Sequence, residues 1–210
     1  MATNPSGSAS LIDRVKNILL QPKAEWPRID AEPATIGGIY MSYVCILAAI
    51  GPVAMVIGMF IFGMPLIGYH PSLGFLIGQA VVSYVLSLVS VFVLALIIEA
   101  LAPTFGGTKD RVKAFKVAAY SSTAAWLVGI FYLVPMLAIL AILGLYSLYL
   151  LYLGLPVLMK VSSDKAMTYV VAVIVAAIVL WLVVGVIGSR VMMTMMPAPA
   201  VQTISVTYPA

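Results

Sequence analysis

The chain has 210 residues, 63% of them hydrophobic and only 9% charged, with a formal net charge of +4 and a mean hydropathy of +1.15. An ordinary soluble domain carries about a quarter charged residues, so this composition excludes a soluble globular fold and calls for an integral membrane protein. One cysteine, Cys45, and one histidine, His70, exclude an intrachain disulfide and a four-ligand zinc site. The positive charge does not point to nucleic acid. The basic residues lie between apolar runs, where membrane topology accounts for them.

Residues 1–9 are small and polar and read as a disordered N-terminus without the order of a secretory signal. From Ser10, the segment SLIDRVKNILLQP places Leu11, Ile12, Val15, Ile18 and Leu19 at helical spacing, with Asp13, Arg14, Lys16 and Asn17 opposite. Ser10 with Asp13 forms an N-cap arrangement and Pro22 ends the helix. Three turns are too few to cross a bilayer. The helix therefore lies either in the plane of the interface on anionic lipid or against the protein's own bundle, and the two are not exclusive. KAEWPRIDAEP reads as a polar linker with Trp26 at headgroup level, so that residues 10–34 form the cytoplasmic face.

Five runs long enough to cross follow, at 35–62, 72–101, 112–133, 135–159 and 166–189. Pro52 predicts a kink in the first, since it removes a donor and crowds the carbonyl of Ala48. Gly74 and Gly78 give the second a GxxxG spacing that suits close helix approach. Pro135 starts the fourth run in its first turn, and Gly154 and Pro156 loosen its far end. Residues 190–210 read as an external tail. The expected fold class is an all-α membrane protein, a bundle of five transmembrane helices preceded by a short amphipathic interfacial helix.

Orientation follows from a count. Arg14, Lys16, Lys23 and Arg28 precede the first run; Lys109, Arg111, Lys113 and Lys116 follow the second; Lys160 and Lys165 follow the fourth. Only Arg190 lies on the opposite side. The positive-inside rule then predicts a cytoplasmic N-terminus and an external, periplasmic C-terminus.

Glu99 is the acidic side chain within an apolar run, and an intramembrane ionisable group is a functional candidate by default. Its position near the cytoplasmic end also suits a structural ion pair with Lys113, Lys116 or the backbone around Gly106. Gln79, Ser83, Ser87 and Ser90 form a polar stripe along run two, either lining a path or hydrogen-bonding at a helix seam. Tyr120 to Thr123, with Tyr146, Tyr149 and Tyr152, complete the polar content; Tyr146 and Tyr149 lie deep enough to need partners such as Ser121, Thr123 or each other. No HExxH, GxSxG or P-loop is present, so no enzyme and no cofactor are expected.

The segments LAPTFGGTKD, KVAAYSSTAAW, YLVPMLAIL, YSLYLLYLGLPVLMK and DKAMTYVV, with the opening ILLQPKAEWPRIDAE, resemble the bacterial branch of the Yip1 domain family over roughly residues 10–190. The resemblance implies five membrane helices, a cytoplasmic N-terminus and an outward C-terminus in a bacterial inner membrane. Eukaryotic members similar in the membrane region bind prenylated Rab GTPases, a role that needs more than the roughly 35 residues ahead of the first run here. Glu99 stands where many members have Asp, and Ser122-Thr123-Ala124 replaces the family's Ser-Thr-Pro, which removes the proline expected to bend run three. The function expected is a non-catalytic membrane protein that organises or binds lipid or protein partners, with anionic lipid at the cytoplasmic face and self-association among the options. The alternative is a small-solute or ion permease using Glu99 and the Gln79–Ser90 stripe.

Overall fold

The structure, a computed structural model, describes residues 10–63, 68 and 70–195. The expected disorder of residues 1–9 and the tail beyond residue 195 lie outside the described residues. Those described are helical almost throughout, with no strand among them. Five helical segments are long and apolar enough to cross a membrane: Ile36–Phe62, Leu73–Phe105, Arg111–Leu133, Pro135–Met159 and Asp164–Thr194. We refer to them as the first to fifth spans. This is an all-α, multi-pass membrane fold.

The third span organises the bundle. It is the least apolar of the five and the most buried, packed against the second and the fourth. The arrangement follows from its sequence. Lys116, Tyr120, Ser121 and Thr123 would be costly against lipid, so they turn inward, while the more uniformly apolar spans face outward.

Regular α-helix is interrupted where the sequence forces it. In the first span a π-turn covers Tyr40–Val44, and the helix breaks at Ala49, three residues before Pro52. The third span turns at Ser122 although no proline is present. Three successive hydroxyls bond back to their own helix there: Ser121 and Ser122 donate to the Ala118 carbonyl, at 3.3 and 2.8 Å, and Thr123 donates to that of Tyr120 at 2.7 Å. Such back-bonding competes with the helical ladder and bends it. Val128–Leu133 and Pro135–Leu145 are 3₁₀-helical, and the larger rise per residue extends the reach of the two shortest spans.

The close glycine contacts differ from the GxxxG expectation. A Cβ on Gly74 would meet nothing within 4 Å, so that position is no seam within this chain. The tight crossing is between the first and third spans, where a Cβ on Gly129 would come within 2.6 Å of the Gly51 Cα.

The largest departure from expectation lies ahead of the first span. Helix α1, Leu11–Leu20, is followed after one residue by a second helix, α2, Pro22–Ala31, where a linker was expected. Pro22 does end α1, yet it also opens α2 at the first helical position, where its missing N–H costs nothing. The pair forms a hairpin packed into the bundle. Ile18 is fully buried, with Leu11, Val15 and Leu19 packed beside it. Arg14, expected on the polar face, is buried at 4% exposure, whereas Ile12 and Leu20 are 76% and 69% exposed. Trp26, expected at headgroup level, is fully buried against Gly154 of the fourth span.

Candidate functional site

The hairpin meets the bundle through charge. Arg14 Nη1 donates to Glu25 Oε1 at 2.5 Å, Nη2 pairs with Glu32, and the guanidinium carbon sits 5.6 Å from the Tyr120 ring centroid. Arg28 approaches the other Glu25 oxygen at 3.5 Å. Burial alone would lower the Arg14 pKa, but the hydrogen bond and charge of Glu32, with Tyr120 and Glu25, hold it above the ordinary value. The group stays charged, and its partners must stay with it.

Lys116 does not pair with a carboxylate. Its buried ammonium donates to the carbonyls of Ile29 and Glu32, at 2.6 and 2.5 Å. These lie at the C-terminal end of α2, where carbonyls lack helical partners and the helix dipole favours a cation. Asp30 completes the clasp, with one carboxylate oxygen 2.8 Å from Lys113 and the other 2.8 Å from Lys160. Three parts of the chain thus converge: the hairpin, the start of the third span and the end of the fourth. Thr108 reinforces the join, since its N–H and hydroxyl both donate to the Met159 carbonyl, at 2.8 and 3.2 Å.

Burial would raise the Asp30 pKa, but the hydrogen bonds and charges of Lys113 and Lys160 hold it below the usual carboxylate range. A depressed folded pKa contributes stability that is fully present above the unfolded value, about 3.9, and is lost as the pH falls through the folded value. The clasp is therefore expected to be unchanged from neutral pH to about 5 and to loosen only in stronger acid. Proteolysis between residues 20 and 34 across that range measures it. Cleavage that rises between pH 7 and 5 would contradict this assignment.

Of the candidates read from the sequence, Lys113, Lys116 and Tyr120 come together here. Tyr120 packs edge-on against Tyr43 at 4.8 Å, and the Tyr43 hydroxyl lies 2.7 Å from the Thr123 hydroxyl. Glu99 stands apart from them. Its partner is Arg111 at 2.8 Å, rather than Lys113 or Lys116, which are committed to Asp30 and to the end of α2. The serine stripe is not one polar path. Ser83 and Ser90 donate to carbonyls of their own helix, and Ser87 accepts from Trp126 Nε1 at 3.0 Å. Gln79 is half-buried away from the clasp. Tyr149 is 41% exposed and packs beside Tyr146, the ring centroids 5.4 Å apart and the planes tilted by 45°. The Tyr146 hydroxyl reaches neither Ser121 nor Thr123; it donates to the Leu19 carbonyl of α1 at 2.9 Å.

With this geometry in view, residues 16–185 match the Yip1 domain. The chain belongs to the Yip1 domain family. The matched region takes in α2, with Glu25, Asp30 and Glu32, as well as Lys113, Lys116, Lys160 and Tyr120, whereas Arg14 lies just ahead of it. No curated protein and no solved structure matches the chain significantly. Arg14, Glu25, Asp30, Glu32 and Trp26 were not among the candidates. The signal that finds them is the spacing of Glu25, Trp26, Ile29 and Glu32, which share one face once Pro22 is read as opening a helix rather than only closing one.

Proposed function

We propose that this Yip1-family protein is a non-catalytic membrane component that binds and organises other membrane constituents. Its basic end is turned to the cytoplasm of a bacterial cell and holds anionic lipid. The observation that supports this is the set of cations left over by the clasp. Lys113, Lys160, Arg14, Arg28 and Arg111 have carboxylate partners, and Lys116 has carbonyls. Lys16, Lys23, Lys109 and Lys165 are exposed and form no ion pair among the described residues. Uncompensated lysines beside a bilayer attract anionic headgroups, with about 1 kcal/mol from each. The permease alternative draws no comparable support, since Glu99 is held by Arg111, Ser83 and Ser90 bond within their own helix, and Ser87 accepts from Trp126 at a helix seam.

The test uses the full chain in neutral detergent, offered phosphatidylglycerol or phosphatidylcholine and followed by native mass spectrometry. Preferential retention of phosphatidylglycerol is expected, on the order of tenfold or more. Equal retention of the two lipids overturns the proposal.

A further inference from the structure

We infer that the α1–α2 hairpin is a re-entrant wedge in one leaflet of the membrane, and that Lys16 and Lys23 hold anionic lipid headgroups drawn inward beside it. The lipid part rests on the function proposed above; the insertion does not.

The depth comes from three contacts between the hairpin and the fourth span. Asp30 meets Lys160, one residue past that span's end at Met159. Trp26 lies over Gly154. The Leu19 carbonyl receives the Tyr146 hydroxyl. Reading back from Asp30 to Leu19, the hairpin runs down beside the last turns of the fourth span by at most the length of α2, about 15 Å, and the Tyr146 side chain reaches up to meet it. The pairing of Arg14 with Glu25 and Glu32 returns α1 toward its starting level, so the turn around Gln21 is the deepest point. Each helix has 10 residues and is about 15 Å long, half the thickness of a bilayer's hydrocarbon.

The backbone suits that position. Exposed irregular backbone is disfavoured at membrane depth, and here a single residue, Gln21, separates the two helices. At the turn, the Gln21 N–H donates to the Asn17 carbonyl, its own carbonyl accepts from Ala24 and Glu25, and Pro22 has no N–H to place. Leu20, 69% exposed at the tip, is a side chain that acyl chains would cover. Buried charges within the hairpin face the bundle, where they are paired.

Two cations without an ion pair among the described residues remain on its outside, Lys16 and Lys23, together with the exposed acid Asp13; the lysines flank the tip by four and three residues. A lysine below the headgroup level either stretches its stem toward the surface or draws a counter-charge down to it. Phosphate-bearing anionic lipid is the anion at hand on a membrane-embedded face. Occupation of one leaflet by the hairpin, with headgroups pulled toward it, thins that leaflet locally.

The experiment has two readouts on the full chain in vesicles of phosphatidylglycerol and phosphatidylcholine. For depth, a fluorophore is attached at Leu20→Cys in a Cys45→Ala background and quenched by lipids brominated at mid-chain or by aqueous iodide. Dominant quenching by the mid-chain bromines is expected. Dominant quenching by iodide overturns the insertion. For the lipid, the Lys16→Gln, Lys23→Gln double variant is expected to lose phosphatidylglycerol retention on the order of tenfold, more than a Lys109→Gln, Lys165→Gln double variant loses. An equal or smaller loss overturns the headgroup assignment. A wild-type protein without lipid preference defeats the proposed function and the headgroup assignment, and the depth readout still decides insertion. All four lysines are exposed and form no ion pair among the described residues, so unchanged melting of both variants verifies that the fold is intact.

Discussion

Arg14→Met is expected to lower the stability of the full chain by about 3–5 kcal/mol. The reason is what it leaves behind. Glu25 is 2% exposed, and without Arg14 its only cationic neighbour among the described residues is Arg28 at 3.5 Å, which is itself largely in solvent. Glu32, 38% exposed, can turn outward, but Glu25 cannot. Its carboxylate then bears most of its desolvation cost without compensation, or takes up a proton. The double variant Arg14→Met, Glu25→Gln removes the stranded charge along with its partner and is expected to recover a substantial part of the loss. Thermal unfolding in detergent, read by tryptophan fluorescence, measures both. A single variant within about 1 kcal/mol of wild type, or a double variant no better than Arg14→Met, would show that the network carries little.

Gly154→Val is expected to undock the hairpin by a different route. A Cβ at that position would come within 2.7 Å of Trp26 Cε2 and Cζ2, closer than real side chains approach one another. The indole is fully buried and has no open space to retreat into. Overpacking of this kind costs about 1–3 kcal/mol where the surroundings yield and more where they do not. Trp26→Ala alone is expected to cost about 3–5 kcal/mol through the cavity it opens. Combined, the two should cost clearly less than their sum, because the valine fills space the indole vacates. Additive losses would mean that Gly154 and Trp26 are not packed as knob and hole.

The spans were legible because lipid imposes one demand on every outward residue. Long apolar runs separated by charged or glycine- and proline-containing loops leave few other readings, and the helix start at Arg111 carried its own cap in Asp110. The hairpin was not legible by the same rule, since it is polar where the spans are apolar. A helical wheel places Arg14 opposite Ile12, Val15 and Ile18 in character but not far from Ile18 in angle. Hydrophobicity alone assigns Arg14 to water, and only the acids of α2 and the face of Tyr120 bring it inside. Pro27 similarly disguised α2: inside the helix it removes the donor that would reach the Lys23 carbonyl, yet the helix runs on to Ala31. Among the candidate residues, charge type was readable and partner choice was not. Glu99 faces three basic residues in the first two turns of the following helix, and register on the surface of the third span decides that Arg111 reaches it while Lys113 and Lys116 face the hairpin.

The hairpin's partners also set an order of assembly. Leu19 is bonded to a residue 127 positions later, and Asp30 to one 130 positions later. During synthesis the α1–α2 pair therefore cannot complete its contacts until the fourth span has been made. Until then only its ties to Lys113, Lys116 and Tyr120 of the third span are within reach, and it waits as a polar, amphipathic pair at the membrane surface. In this bundle the helices ahead of the first span settle only after most of the spans behind them.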